Sequence, residues 1–411
     1  MKLKQFILLA CCLIAASASA QSLHSEAQPV LTDGILNLSL GDKSNSVRIG
    51  GYISANGHLT EVKNDKNDNG FDIEHAFLSV EGSFLNDKLG FFLQTDFTLS
   101  YPLLDAYVTY QPAKDLVFSV GQKQTFTNSR DMLMRDQLTA FGGQHSHMSQ
   151  LLNKTGRELG VFAEYRLPVK SFGADLGVAV TSGDGRNSFG SSSTDNDKGG
   201  LKYGGRITLY PLGYFVRGNE LVFHDFVREA KPKIALGAAI SFNDGVSEAV
   251  GEGHGDFTFY DEAGEVKLPD YRKYAADLLL KWQGLTLLVD YQKTSATHLN
   301  HLYTAQSVES KLRPTQIANY LALGTGLDVQ AGYLFKSLWT IDAAWSYIHP
   351  EFDETDTSAL NKVSSFDFGV SKYFCKNALR LQLAANYTKY NTVYFKPYKN
   401  RSVLLSAHVM F

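Results

Sequence analysis

Charged side chains that alternate with apolar ones are the residues of this sequence that could do chemistry. A guanidinium or ammonium group on such a polar face can donate charge-assisted hydrogen bonds to an anion, and a carboxylate can attract a cation. The two signs are equally frequent on this face, so its overall charge is balanced. The basic candidates are Arg48, Lys123, Arg166, Lys202, Arg206, Lys273, Lys281 and Arg380, and the acidic candidates are Asp96, Asp105, Glu164, Asp277, Asp290, Asp328, Asp342 and Asp367.

Other patterns that could support metal binding or catalysis are incomplete. Residues 65–72 reproduce the first half of a calcium-binding EF-hand loop, but its twelfth position is Ala76, so a plain hairpin turn is the preferred interpretation. The histidine pairs in 145–147 and 298–301 have no third ligand at a convincing spacing. No motif joins Ser, His and Asp into a triad. We therefore expect no enzyme, no metal site and no cofactor.

The elements that position these charges are predicted to be β-strands, because apolar and polar residues alternate along nearly the whole chain after residue 46. In one strand, for example, Tyr203 and Ile207 oppose Lys202 and Arg206. The number of strands is even, as is typical of single-chain bacterial barrels. The sixteen predicted strands are 47–59, 71–83, 88–98, 102–111, 115–124, 158–166, 174–182, 200–210, 231–241, 271–281, 284–294, 321–335, 338–349, 362–374, 377–390 and 400–411.

The connections alternate in length, which is typical of barrels with short periplasmic turns and long outer loops. Residues 125–157 form the longest of the loops. Residues 211–230 break the pattern, because they follow the eighth strand and are too long for a turn. An inward-folded periplasmic segment is our hypothesis for them.

The distribution of residue types between the two faces favours a transmembrane barrel. The apolar face is rich in Leu, Val, Tyr and Phe, whereas the other face carries Gly and mixed charges, as expected for lipid outside and water inside. No apolar run of 18 residues follows the N-terminal region, and lipid cannot satisfy the open backbone of an unclosed sheet. A pair of soluble β-sandwiches is the alternative fold. The aromatic residues expected in interfacial girdles are Tyr110, Tyr165, Trp282, Trp339, Tyr373 and Phe374.

The N-terminus predicts export. Residues 1–20 combine Lys2 and Lys4 with a short apolar run and an Ala-Ser-Ala site, as in a signal peptide; a lipoprotein signal ending before Cys11 is the alternative. Without Lys2 and Lys4, the 39 basic residues fall to 37 against 42 acidic ones. This acidic balance argues against nucleic-acid binding. Cys375 would be the single mature cysteine, so no internal disulfide is expected.

Several motifs, taken together, resemble the phosphate-selective porin O and P family. They keep their order along most of the mature chain, and a final Phe411 after an alternating strand is similar to the signature read by the outer-membrane assembly machinery. The motifs are Leu-Asp-Ala-Tyr-Val-Thr-Tyr-Gln-Pro at 104–112, Leu-Val-Phe-Ser-Val-Gly-Gln-Lys at 116–123, Arg-Glu-Leu-Gly-Val at 157–161, Pro-Leu-Gly-Tyr-Phe at 211–215 and Pro-Lys at 232–233.

This resemblance implies a sixteen-stranded, homotrimeric outer-membrane porin that spans residues 47–411, after an N-terminal periplasmic segment at 21–46. It also implies that the third loop, here 125–157, folds inward and narrows a water-filled channel for passive diffusion of small anions, with phosphate as the candidate. A general or weakly selective porin is the first alternative. A structural or adhesive barrel acting through 242–270 and 295–320, or an enzyme on the barrel rim, are the others.

Selectivity in such a pore comes from its width and from the charges that line it. The resemblance places Lys123 at a motif position near the constriction, and Arg130, Arg135 and Arg157 on or beside the presumed constriction loop. The anion-binding candidates are Lys123, Arg130, Arg135, Arg157, Lys202 and Arg206. The alternative interpretation is that these groups form salt bridges that hold the loop in place.

Overall fold

The computed structural model describes residues 36–39, 45–62, 67–167, 169, 171–188, 199–253, 255–355, 357–391 and 399–411. The predicted signal peptide, residues 1–20, and much of the predicted segment 21–46 lie outside the described residues. So do residues 63–66, which include the start of the EF-hand-like pattern.

A β-strand forms within each of the sixteen predicted ranges, although the observed ends differ by a few residues. The strands are β1 (Leu36–Ser39), β2 (Ser46–Val62), β3 (Asp68–Phe84), β4 (Leu89–Asp96), β5 (Leu103–Ala113), β6 (Leu116–Gln124), β7 (Arg157–Leu167), β8 (Gly173–Thr181), β9 (Lys202–Tyr210), β10 (Lys233–Asn243), β11 (Asp270–Trp282), β12 (Leu285–Thr297), β13 (Gly324–Leu334), β14 (Trp339–Pro350), β15 (Lys362–Phe374), β16 (Leu379–Asn391) and β17 (Lys399–Met410). Short helices form within the connections: α1 (Arg130–Leu133), α2 (His147–Leu152) and three 3-10 turns, Asp136–Leu138, Asn219–Leu221 and Pro314–Asn319.

Strands β2 to β17 form a closed antiparallel barrel. Each pairs with its sequence neighbours, and β17 closes the ring against β2, with Ala407 opposite Ala55. The sixteen-stranded barrel predicted from the alternation is thereby confirmed. The short strand β1 was not predicted; it pairs with the start of β2, where Leu36 is opposite Ile49.

The two faces of the barrel differ as the alternation predicts. In β9, Lys202, Arg206 and Thr208 are buried, whereas Tyr203 and Ile207 are exposed. The polar face therefore points into the barrel and the apolar face points outward. No helix among the described residues is both long enough and apolar enough to cross a membrane.

The prediction is wrong for one of the six residues expected in the aromatic girdles. Tyr110, Tyr165, Trp282, Trp339 and Phe374 are exposed on the outer face, but Tyr373 is buried and contacts His224 inside the barrel. Adjacent residues of a strand point to opposite faces, so Phe374 outside requires Tyr373 inside.

The connections divide the barrel into two ends, which we call the short-turn end and the long-loop end. Turns such as 85–88, 283–284 and 375–378 lie at the first. Asp68 and Asp72, from the EF-hand-like pattern, lie in β3 at the second, where both carboxylates approach His58, at 3.6 and 3.1 Å. Among the residues described, no group of three or more His, Cys, Asp or Glu side chains could hold a metal ion.

Candidate functional site

The connection between β6 and β7, residues 125–156, contacts inward-facing side chains around most of the barrel. We call it the internal loop. Hydrogen bonds and ion pairs join it to β2, β3, β9, β11, β12, β13 and β16. Its position divides the interior and determines which charged groups water can reach.

The start of the internal loop is fixed by two carboxylates on the wall. The Asp277 carboxylate accepts from the guanidinium groups of both Arg130 and Arg206, and all three side chains are buried. Asp290 accepts from the backbone N–H groups of Arg130 and Asp131, at 2.8 and 2.9 Å. These backbone donors open α1 and would otherwise lack a partner.

A row of alternating charges fixes the middle of the internal loop. His145 lies 3.3 Å from Asp131 through Nδ1 and 3.2 Å from Asp136 through Nε2. Arg157 then joins Asp136, at 3.1 Å, to Asp105 on β5, at 2.9 Å. Burial alone would lower the pKa of His145, but the two carboxylates outweigh burial and raise the pKa to about 10. His145 is therefore an imidazolium ion at neutral pH, and it is an ion-pair partner instead of the metal ligand considered above.

This raised pKa predicts a stability that declines at alkaline pH. Since the folded pKa lies above the ordinary value of 6.5, the stabilisation is complete below about pH 6.5 and is lost as pH rises towards 10. We expect the difference in thermal unfolding temperature between the wild type and His145→Gln to be largest near pH 6 and to narrow steadily towards pH 10. Lys311→Gln, which removes an exposed loop charge, is the control. A pH-independent difference at His145 would contradict the assignment.

A second long connection, residues 244–269, holds the end of the internal loop at the long-loop end of the barrel. The Glu252 carboxylate of that connection accepts from the backbone N–H of Gly156 at 2.9 Å and pairs with Lys273 at 2.7 Å. Beside it, Lys202 pairs with Glu158 at 2.8 Å. Both lysines are buried and neutralised by these carboxylates.

The tip of the internal loop lies against the opposite wall. Arg380 donates from Nη1 to the carbonyl of Thr139 at 2.9 Å, and the Tyr52 hydroxyl donates to the carbonyl of Gly142 at 3.3 Å. Gly142 has a φ of +62°, and a Cβ atom there would lie 2.4 Å from Nε2 of His408. Glycine thus permits both the left-handed backbone and the close approach.

Cavities lie on both sides of the tip. Phe141 and Gln144 contribute to a long-loop cavity of about 370 Å³, and residues 133–138 contribute to a short-turn cavity of about 340 Å³. The charged side chains of the long-loop cavity are His58, Asp72, Glu74 and Asp367. Those of the short-turn cavity are Arg48, Glu81, Asp105, Lys123, Arg135, Asp136 and Arg157.

Four of the six predicted anion-binding residues are buried in ion pairs. Arg130 and Arg206 share Asp277, Arg157 bridges Asp105 and Asp136, and Lys202 pairs with Glu158. Each of these cations is already paired with at least one carboxylate. Their contacts are those of the salt-bridge interpretation, in which the charges hold the loop in place.

The other two predicted residues line the short-turn cavity. Lys123 lies 2.5 Å from Glu164 and 5.3 Å from the ring centroids of Tyr107 and Phe162. The Arg135 side chain is exposed to the cavity and has no ion-pair partner among the residues that the structure describes. Arg135 is therefore the candidate best placed to meet a solute.

Sequence reasoning missed which group each charge would contact. Glu252 was not a candidate, although it anchors both Lys273 and the end of the internal loop. Arg380 was correctly placed on the polar face, but the residue that it contacts, Thr139, is separated from it by 241 positions in the sequence. No local pattern could reveal these pairs. The alternation of apolar and polar residues indicates only which face of its strand each side chain occupies.

Comparison with known proteins shows the fold alone. No protein-family model matches the chain, and no curated protein sequence matches it. Solved structures of outer-membrane channels do match. An anion-selective porin from Comamonas acidovorans has a TM-score of 0.55 and 11% identity, covering 89% of this chain and 100% of that one.

Two further structures agree with this match. The outer membrane channel DcaP of Acinetobacter baumannii has a TM-score of 0.54 and 16% identity, over 90% of this chain and 99% of that one. OmpF of Salmonella typhi, in complex with daunomycin, has a TM-score of 0.54 and 13% identity, over 91% and 100%. The chain therefore has the barrel fold of outer-membrane porins.

Proposed function

We propose that this protein is an outer-membrane porin, a water-filled channel for passive diffusion of small hydrophilic solutes, with a weak preference for anions. The observation that carries the proposal is the closed barrel with a charged interior, in which an internal loop leaves cavities on both of its sides. Charges on a narrow water-filled path determine which ions pass. The fold shared with an anion-selective porin supports the same class of function.

The preference for anions is assigned to the short-turn cavity. Arg48 is paired with Glu81 at 2.7 Å, and Lys123 is paired with Glu164. Arg135 adds a positive charge that forms no ion pair with any carboxylate among the described residues. A single such group attracts small anions without selecting one of them.

Strict phosphate selectivity has less support from this geometry. A phosphate site needs several cations free to donate to its oxygens. Arg130, Arg157 and Arg206 instead donate to carboxylates, and the long-loop cavity carries Asp72 and Glu74. We therefore favour the weakly selective channel over the phosphate-specific one.

Planar-bilayer recording of the purified mature protein tests the proposal. We expect stepwise conductance increases in KCl, in groups of three if the protein is a homotrimer as the resemblance implies. In a KCl gradient, the reversal potential should indicate a modest excess of chloride over potassium permeability. Absence of conductance from correctly folded protein would refute the channel, and a clear cation preference would refute the anion assignment.

An adhesive or structural barrel is the second candidate, and one observation favours it. The long loops pack a buried apolar cluster of their own, which includes Phe259, Leu302, Leu312 and Ile317. Such packing gives the long-loop end a fixed surface that a partner could recognise. A folded protein that does not conduct would favour this candidate over the porin.

A further inference from the structure

The connection between β9 and β10, residues 211–232, lies inside the barrel at the short-turn end. Its residues Val222, Phe223, His224 and Asp225 are all buried. We call it the β9–β10 segment. It is the connection that sequence analysis could not explain as a turn.

The wall of the barrel holds this segment by specific contacts. Lys281 donates from Nζ to the carbonyls of Asn219 and Val222, at 2.5 and 2.6 Å. His224 lies 2.8 Å from Asp342 on β14. A connection that served only as a flexible turn would not need buried polar anchors of this kind, because a buried polar group is costly unless it is hydrogen-bonded.

The segment is also joined to the internal loop, which enters from the other end of the barrel. The backbone N–H of Arg135 donates to the carbonyl of Leu221, and the N–H of Phe223 donates to the carbonyl of Leu138, both at 2.9 Å. Between these two hydrogen bonds, Leu138 and Val222 pack against each other with 1% and 0% of their surface exposed. The backbone of residues 135–138 is therefore fixed at both of its ends.

The other side of residues 135–138 faces the short-turn cavity. Among the described residues, the segment contributes none to the lining of this cavity. Its hydrogen bond to the backbone N–H of Arg135 nevertheless fixes the point from which the Arg135 side chain extends. Glu81, a carboxylate on the same cavity, is already paired with Arg48 at 2.7 Å. Arg135 is thus held beside water without an ion-pair partner among the described residues.

We propose that the β9–β10 segment is a positioning element for ion selectivity, which holds the backbone of residues 135–138 so that the Arg135 guanidinium stays in the solute path. This inference rests on the proposed channel function. It assigns the selectivity of the internal loop to a connection from the opposite end of the barrel. A purely structural segment would change stability without changing which ions pass.

The test combines a shortened segment with neutralisation of Arg135. One variant replaces residues 212–231 by a two-residue Asn-Gly turn, a second is Arg135→Gln, and a third carries both changes. We expect the shortened variant to lose chloride preference to the level of Arg135→Gln. The double variant should show no further loss, because Arg135 is already displaced. The reversal potential in a KCl gradient is the measurement.

Two controls keep this result interpretable. Removing residues 261–265, which lie in a long-loop connection and do not line the short-turn cavity, should leave the ion preference unchanged. If the shortened variant does not fold, Val222→Ala provides a milder disruption of the contact with Leu138 and should reduce the effect of Arg135→Gln. A shortened or Val222→Ala channel that keeps both the wild-type preference and the full Arg135→Gln effect overturns the inference. A wild-type protein that does not conduct overturns the proposed function instead.

Discussion

Replacing Asp277 with alanine should release the start of the internal loop and give a larger, noisier channel. The change leaves two buried guanidinium groups, those of Arg130 and Arg206, without their shared carboxylate. Removing one partner from a buried ion pair typically costs about 3–5 kcal/mol. A loss of about 2.7 kcal/mol already raises the population of a minor state about a hundredfold. The undocked loop should therefore become visible in single-channel recordings.

Single-channel conductance and its fluctuations are the measurements for Asp277→Ala, together with passage of larger neutral solutes into liposomes. The variant Glu265→Ala is the matched control, because it removes an exposed carboxylate of a long-loop connection instead of a buried one. A triple change of Asp277, Arg130 and Arg206 to apolar residues of similar size should restore part of the lost stability, since no buried charge is then left unpaired. A folded Asp277→Ala channel with wild-type conductance and noise would contradict the anchoring role.

Reversing the charge at Arg135 should shift the ion preference more than reversing it at Lys123. Lys123 is paired with Glu164 at 2.5 Å, whereas Arg135 has no ion-pair partner among the described residues. A change of two charge units about 6 Å from an ion in water alters its energy by about 1.4 kcal/mol, which is roughly tenfold in relative permeability. We therefore expect Arg135→Glu to convert the weak chloride preference into a potassium preference.

Reversal potentials for Arg135→Glu and Lys123→Glu, measured side by side in KCl gradients, provide the comparison. The shift should shrink as the mean salt concentration rises, because the Debye length falls from about 10 Å at 0.1 M to about 3 Å at 1 M. Arg157→Gln tests the opposite case of a fully paired cation, and it should alter stability more than ion preference. Equal shifts at Arg135 and Lys123 would mean that the pairing of Lys123 does not screen its charge.

The long connections show why part of the site could not be predicted. Residues 211–230 were recognised as too long for a turn, but their contacts with Lys281 and with residues 135–138 join parts of the chain that are far apart in sequence. The histidine at 145 was considered for metal binding because a lone histidine looks the same in sequence whether it meets a metal or carboxylates. Its two partners, Asp131 and Asp136, became evident only from the folded loop.

The sequence by itself determined the barrel. Strand position and facing depend on a period of two residues, which is local and can be read from any ten-residue stretch. That is why all sixteen barrel strands and the inward position of Lys202 and Arg206 were predicted correctly. Even the exception, Tyr373, follows the same rule once Phe374 is placed outside.

Only the tertiary structure decided which inward charges are neutralised and which remain available to a solute. Arg130 meets Asp277 across 147 residues of chain, and Arg157 meets Asp105 across 52. Such pairs depend on closure of the barrel and on the path of the internal loop through it. Coulomb attraction acts between groups that folding brings within a few ångströms, whatever their separation in sequence. For that reason, the six equivalent candidates in the sequence became four cations in buried ion pairs, one cation paired at the edge of the cavity, and Arg135.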